Sequence, residues 1–471
     1  MTENPPAKPK LGRWASFAAW QQGIVGGSVL MFASQAILFG LYFPLSVILA
    51  RTLLPAGRGE YALIVLVPSL LLLFLDPGLG NASVYLIGQR TFPLMQAAPV
   101  LFYGAFAIGA LGCGIFALAA QFPALLLVVG IGSDHTHLLW MCIGLLPFML
   151  LSQYFSSLLL SLNRMLAFNA TRILAIAAQL IIVLICVVLG TFNLFWAVAS
   201  YSVATLITAG CTLWLVARAG ALNIAPRWSR SDLTFIRAAT TFGMKGYLGR
   251  VLPFLGYRLD VFLIVALLST THLGVYAVAV ALAERIWTVS DAVSTVLFPR
   301  IAASGERDGV ELTTQVSRHV VLLVGLAAAV LAVLSRPLIL LLYGSAYSDA
   351  VLAFAVLLPG VVVLSVGKIV SSYISGKGRP ELGVLPSVLT VVSNTLLNLV
   401  LIPRLGIVGA SLASTISYTL SATLLVVYFL RLSDARLTDL FVIRRSDLVP
   451  YRQALGLTYR MLARQFVGPG R

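Results

Sequence analysis

The 471-residue chain is 59% hydrophobic and only 10% charged, with a mean hydropathy of +0.98. That balance excludes a soluble globular protein and describes an α-helical protein that crosses a membrane many times. The formal net charge of +16 comes with no nucleic-acid-binding motif, so it points to a face attracted to anionic lipid rather than to DNA or RNA.

In chain order, residues 1–23 read as a polar, Pro-rich cytoplasmic tail. The apolar stretch after it reads as an uncleaved first span, not a signal peptide. Twelve near-continuous apolar stretches follow, at about 24–50, 61–88, 97–120, 137–161, 173–191, 194–217, 246–269, 275–299, 319–342, 351–374, 383–402 and 407–430. Each is long enough to cross ~30 Å of hydrocarbon. They group into an N-lobe at 24–217, a cytoplasmic linker at 218–245 and a C-lobe at 246–430. A basic cytoplasmic tail at 431–471 closes the chain. The expected fold is an all-α polytopic membrane protein of about twelve transmembrane helices in two six-helix lobes. Six is even, so both lobes start on the same side and the repeat is parallel.

Orientation follows from the bases. Of 32 Lys and Arg residues, 23 fall in the segments that are inner if the N-terminus is inside. Only Arg51, Arg58, Arg336 and Arg404 fall in outer loops. Both termini are therefore expected in the cytoplasm, and the protein in a bacterial cytoplasmic membrane.

The two lobes repeat at one spacing. Gly59-Glu60-Tyr61-Ala62 recurs 215 residues later as Gly274-Val275-Tyr276-Ala277, and Asp76 as Asp291. Ser156-Ser157 and Arg164 recur as Ser371-Ser372 and Arg379. Gln35 and Gln153 meet Arg250 and Lys368 at the same offset. In a membrane chain such lobes enclose one substrate path, which suggests a transporter.

Ionisable groups in hydrocarbon need a partner, a wet cavity or an end position from which to snorkel. Most of them lie in the C-lobe: Arg250, Arg258 and Asp260, then Glu284, Arg285 and Asp291, then Lys368. Arg258 with Glu284 and Asp260 with Arg285 are the expected cross-helix pairs. Glu284 and Asp291 share a helix face. Arg250 and Lys368 either snorkel or join Arg258 in a cationic cleft, with Gln35 and Gln153 opposite. Such a cleft suits a phosphate or pyrophosphate, because arginine offers it a planar, permanently charged fork. Asp76 precedes Pro77 and two glycines, so it reads as an N-cap in a broken helix. Its other reading is a coupling-ion site for sodium or a proton, as is also open for Asp260, Glu284, Arg285 and Asp291.

The remaining motifs are poorer. His135 and His137, even with Asp134, lack the ligands of a metal site, and no metal or other cofactor is expected. Cys113, Cys142, Cys186 and Cys211 read as small core residues. In the tail, Leu448, Leu455, Tyr459, Leu462 and Phe466 fall on one helical face, which reads either as an amphipathic helix on an anionic inner membrane surface or as part of a disordered basic tail.

The stretches Leu49-Ala50-Arg51, Gly57-Arg58-Gly59-Glu60-Tyr61-Ala62 and Leu75-Asp76-Pro77-Gly78-Leu79-Gly80-Asn81-Ala82 carry a resemblance. So do Tyr257-Arg258-Leu259-Asp260, Leu297-Phe298-Pro299-Arg300, Leu342-Tyr343-Gly344, Gly378-Arg379-Pro380 and Gly406-Ile407-Val408-Gly409-Ala410-Ser411. In these motifs the chain resembles the polysaccharide repeat-unit flippases of the multidrug/oligosaccharidyl-lipid/polysaccharide exporter superfamily. The resemblance implies two six-helix lobes around a cleft and alternating access. It implies a polyprenyl-pyrophosphate-linked oligosaccharide passed from the inner to the outer leaflet, in the company of polysaccharide polymerase machinery. It supplies no invariant catalytic set, and no enzyme activity is expected. A cation-coupled multidrug exporter shares this fold but favours an acidic, aromatic pocket. The outer loops are too short for a catalytic domain, and the chain has no P-loop for an ATP-driven pump.

Overall fold

The computed structural model describes residues 24–121, 135–220, 230–444 and 447, with side chains from residue 33. Among them there is no strand. The chain order is α1 (Ile24–Leu75), α2 (Leu79–Gly88), α3 (Leu94–Ala119), α4 (Thr136–Ile143), α5 (Leu146–Ser161), α6 (Met165–Val188), α7 (Leu194–Arg218) and α8 (Arg230–Lys245). Then come α9 (Tyr247–Leu267), α10 (Thr270–Ala303), α11 (Glu306–Tyr343), α12 (Ala350–Gly376), α13 (Val384–Leu405), α14 (Ile407–Leu432) and α15 (Leu437–Phe441). Each of the twelve apolar stretches is helical.

Ten helical segments among the described residues are long and apolar enough to cross a bilayer, which makes this a multi-pass membrane protein. The sequence led to twelve spans, and two do not stand alone on that measure. The first two stretches are fused in α1, whose only break before Leu75 is a kink at Leu54 (φ 57, ψ 174). Leu54 precedes Pro55, a position where the right-handed α region is disfavoured. The other case is α9, where Arg250, Arg258 and Asp260 dilute the apolar run.

The chain forms two compact units. Unit 1 holds residues up to Val251 plus Ser269–Gly274, and unit 2 holds Leu252–Leu268 and everything from Val275. In unit 1, α4, α6 and α7 pack with α1 around Leu45, Leu49, Ile64, Leu138, Val183 and Val198. Gln179 reaches into this core to donate to the Tyr61 hydroxyl at 3.2 Å. The 218–245 segment, read from sequence as a linker, contains α8, which lays Phe235 and Ala239 fully buried against α2 and α3.

One crossing in unit 1 admits no side chain at all. A Cβ on Gly59 would sit 1.9 Å from the Thr270 carbonyl oxygen, and one on Gly274 would sit 1.8 Å from that of Pro55. Pro55 and Thr270 are themselves 215 residues apart, so the contact is reciprocal across the repeat. In unit 2, α12 packs between α11 and α14, and α13 packs on α14. Gly360 lies against Thr415 and, seven residues on, Gly367 lies against Ala422. Lipid gives helices no hydrophobic drive to associate, so such small residues supply the close van der Waals approach.

Candidate functional site

In unit 1 the polar centre is Asp76. α1 ends at Leu75 because Pro77 has no amide to continue the ladder and Gly78 turns away with φ 86. The amides freed by the break need acceptors. Gly78 and Leu79 donate to Asp76 Oδ1 at 2.9 and 3.4 Å. Asp76 thus caps α2 as expected in kind, but from a position displaced by two residues, since Gly78 occupies the N-cap itself. The Tyr154 hydroxyl donates to the same oxygen at 2.8 Å, and Gln153 Nε2 donates to Oδ2 at 3.2 Å.

The break also strands carbonyls at the end of α1. The first turn of α9 meets them: the Tyr247 hydroxyl donates to Phe74 O at 3.0 Å, and Arg250 Nη2 to Asp76 O at 2.6 Å. Arg250 Nη1 pairs with Asp76 Oδ2 at 3.1 Å. The carboxylate is only 3% exposed and both its oxygens are hydrogen-bonded, while Arg250 Nε is buried without a hydrogen-bond partner.

Unit 2 repeats the acid and not its setting. Asp291 pairs with Lys368 Nζ at 2.6 Å, and the partners are 77 residues apart, as Asp76 and Gln153 are. Ala292 and Val293 follow Asp291 in place of Pro77 and Gly78, so α10 continues unbroken and the Asp291 side chain is 51% exposed. Lys368 Nζ also lies 4.6 Å above the Trp287 ring. One turn earlier, Glu284 pairs with Arg258 Nη2 at 2.8 Å, the cross-helix pair expected from sequence. Tyr257, Trp287 and the buried Tyr418 meet in tilted and edge-to-face contacts with ring centroids 5.2–6.2 Å apart. Glu284, Trp287 and Asp291 are spaced to share one face of α10. Unit 2 therefore presents a partly exposed face of two acid–base pairs flanking an aromatic group.

Behind this face lies a buried polar chain. Asp260 accepts from the Tyr276 hydroxyl at 2.5 Å and from the Val261 amide at 2.8 Å. Tyr276 also meets Ser414, which accepts from Asn394 Nδ2 at 3.2 Å, while Asn398 Nδ2 donates to Asn394 Oδ1 at 2.8 Å. Among the described residues, Asn398 Oδ1, Ser411 Oγ and Ser417 Oγ are buried with no hydrogen-bond partner.

Three expectations change. The Asp260 carboxylate is held by Tyr276 and the Val261 amide, where the sequence pointed to Arg285. Arg250, Arg258 and Lys368 do not form an uncompensated cationic cleft, because each has its own carboxylate. Gln153 joins Arg250 at Asp76 instead of facing the bases, and Gln35 is exposed on α1. His135, weighed as a metal ligand, pairs through Nδ1 with Glu60 at 2.7 Å, and no metal-holding group of acids, histidines and cysteines occurs among the described residues. Asp134 and the amphipathic stretch from Leu448 lie outside the described residues. The four cysteines are free.

Sequence reasoning missed Tyr154, Trp287, Tyr418 and Asn394. A signal existed for the tyrosines: a buried phenol must find a partner, so a tyrosine beside a membrane-embedded acid is a candidate donor.

The profile of a family described as polysaccharide biosynthesis protein matches residues 48–352. Two proteins of Haloferax volcanii are similar over shorter stretches. One, described as a probable low-salt glycan biosynthesis flippase Agl15, is 27% identical over 170 residues. The other, described as a probable flippase AglR, is 29% identical over 178 residues. The match covers 35% and 36% of this chain, and only 36% and 37% of those relatives. Among solved structures, the lipid II flippase MurJ in its inward closed conformation superposes with a TM-score of 0.70 at 15% identity, covering 93% of this chain and 99% of that one. An inward-facing MATE family multidrug resistance transporter superposes with 0.69 at 13% identity, covering 86% and 98%. These likenesses establish a shared fold.

Proposed function

The chain belongs to the polysaccharide biosynthesis protein family, and on that premise we propose that it is a flippase for polyprenyl-(pyro)phosphate-linked oligosaccharide repeat units, moved from the inner to the outer leaflet with access alternating between the two sides. The work is transport, not catalysis. The observation that carries the reading is the face of unit 2, where Arg258–Glu284 and Lys368–Asp291 flank Tyr257, Trp287 and Tyr418. The Asp291 side chain is 51% exposed, so an incoming phosphate can replace it on Lys368 without stranding a buried charge, and Arg258, 33% exposed, carries guanidinium donors beyond the one it gives Glu284. Arginine takes phosphate oxygens through its fork and lysine takes them as a point charge. The aromatic group offers sugar rings flat apolar surface with polar tips.

The buried chain behind the face fits a coupling cation. Asp260 would hold it with the oxygens of Asn394, Asn398 and Ser414, and the partnerless Asn398 and Ser411 oxygens are consistent with such a site. A bound monovalent cation would supply charge compensation for Asp260. Sodium and proton coupling are told apart by whether transport follows the sodium or the pH gradient.

The test is glycan export in cells and leaflet transfer of a lipid-linked oligosaccharide in proteoliposomes. Removing a charge-assisted bond worth about 1.5–3 kcal/mol lowers transfer by roughly 10–100-fold, the loss expected for Arg258→Ala at normal membrane abundance. Arg258→Lys recovers only part of the rate. Full activity in Arg258→Ala sinks the proposal. The second reading, a cation-coupled multidrug exporter, rests on the likeness to the MATE fold. It gains ground if the proteoliposomes extrude cationic drugs and leave the lipid-linked glycan in place.

A further inference from the structure

Just past the last long helix, four apolar side chains stand 37–57% exposed in one short stretch: Leu437, Phe441, Val442 and Ile443. The stretch is fastened, not loose. Leu440 is fully buried, and α15 packs on α11. Arg318 of α11 donates through Nε and Nη2 to the Asp447 carboxylate at 2.6 and 3.1 Å, and through Nη1 to the Asp439 carbonyl at 2.8 Å. Both Arg318 and Asp447 are buried. The Arg444 amide donates to Asp447 Oδ2 at 2.8 Å, and the Arg436 amide to Asp439 Oδ2 at 2.9 Å. A forked, buried arginine–carboxylate pair thus clasps both ends of the segment.

The clasp leaves a particular surface facing out. Asp447 is used internally and the exposed Arg444 pairs with Asp439, while Arg431 and Arg436 are exposed against Asp434 as the exposed acid of the stretch. Only residues 433–436 separate α15 from α14, so at up to ~3.6 Å per step α15 begins no more than ~18 Å from the end of a membrane-crossing helix. That places four apolar side chains and a net positive rim at the level of the lipid head groups. Such a combination is stable where apolar groups dip ~5–10 Å into the head-group and acyl boundary and arginines meet phosphates.

We propose that residues 436–444 form a foot that inserts into the membrane interface and recruits acidic phospholipid through Arg436, with the Arg318–Asp447 clasp holding it in place. The inference does not depend on the transported substrate.

The test uses the full chain with p-benzoylphenylalanine at position 441, reconstituted in nanodiscs of phosphatidylcholine alone or of an equimolar mixture with phosphatidylglycerol. Mass spectrometry after irradiation reads the adducts. Phospholipid adducts are expected in both bilayers. In the mixture phosphatidylglycerol is enriched over its bulk share, the ratio of its adducts to phosphatidylcholine adducts rising by up to about fivefold for one arginine at the surface. Arg436→Gln removes the enrichment and keeps the total, whereas Asp447→Asn lowers the total several-fold. If Asp447→Asn does not accumulate, hydrogen–deuterium exchange of 436–447 in the native chain decides: slower exchange in the mixed bilayer supports the foot and equal exchange overturns it. Adducts to protein alone, no adduct, or phosphatidylglycerol at its bulk share also overturn the proposal.

Discussion

Asp76 in unit 1 and Asp291 in unit 2 are one 215-residue repeat apart, yet they live in opposite circumstances. Asp76 is 3% exposed and saturated by Gly78, Leu79, Tyr154, Gln153 and Arg250. Asp291 is half exposed and held by Lys368. The difference begins with two residues. Pro77-Gly78 breaks the helix and releases amides that Asp76 must cap, whereas Ala292-Val293 leaves α10 intact. At the same offset, Phe43, Leu45, Ser69 and Leu72 of unit 1 stand where unit 2 has Arg258, Asp260, Glu284 and Trp287. One copy of the repeat has become a fixed structural knot, and the other has gathered exchangeable charge and aromatic surface.

The largest effects should come from the knot. Arg250→Ala leaves the buried Asp76 carboxylate uncompensated, so stability falls by about 3–5 kcal/mol, read as a collapsed thermal midpoint and low membrane abundance. A variant that melts like the native chain would remove the distinction between the two acids. Next comes a transplant: Ala292→Pro puts a proline in a continuous helix and costs about 3 kcal/mol, unless α10 can reform around Asp291 as α1 and α2 do around Asp76. Thermal unfolding of the single variant and of Ala292→Pro with Val293→Gly tells the two cases apart.

Smaller but sharper is the Gly59–Gly274 crossing. Either Gly→Ala change forces the backbones apart at a cost of about 1–3 kcal/mol. The double variant should cost clearly less than the two together, because the first methyl already opens the shared contact. Strict additivity would mean the two glycines do not share a contact.

Lys368→Ala should move stability by no more than about 1 kcal/mol, since Asp291 remains half solvated, yet abolish glycan transfer. A large drop in thermal stability with transfer retained would reverse the roles given to the two units. The smallest effect is on pH. Bonds from Arg318 hold the Asp447 carboxyl below the usual carboxylate range. A depressed folded-state value contributes stability in full above the unfolded value of ~3.9 and loses it as pH falls through the folded one. Amide protection of 436–447 should therefore stay flat from about pH 8 to about pH 5 and drop only below about pH 4. A drop near neutrality would point to a different group.

The helices, the break after Leu75 and the polar positions within apolar runs were legible because each depends on neighbours a few residues away. Pro77 followed by Gly78 marks the end of α1, a signal that Pro44 and Pro68, which lie inside the same helix without breaking it, do not give. The 215-residue spacing matched Asp76 with Asp291 and Gln153 with Lys368 before any geometry. The pair Arg258–Glu284 followed from similar depth on adjacent helices. The Asp76–Arg250 pair did not, because 174 residues separate its members and only the approach of α9 to the end of α1 joins them. The role of Tyr276 was hidden for a related reason: a phenol and a guanidinium both satisfy a buried carboxylate, and the nearer one wins.

By itself, then, the sequence determined that this chain lies in a membrane, where its helices run and break, and which side chains carry charge into the hydrocarbon. Only the tertiary structure decided which acid meets which base and whether water reaches the pair. Backbone conformation and hydrophobic run length are set locally, but an ion pair forms only where two helices bring their side chains within ~4 Å, and its exposure is set by everything packed around it.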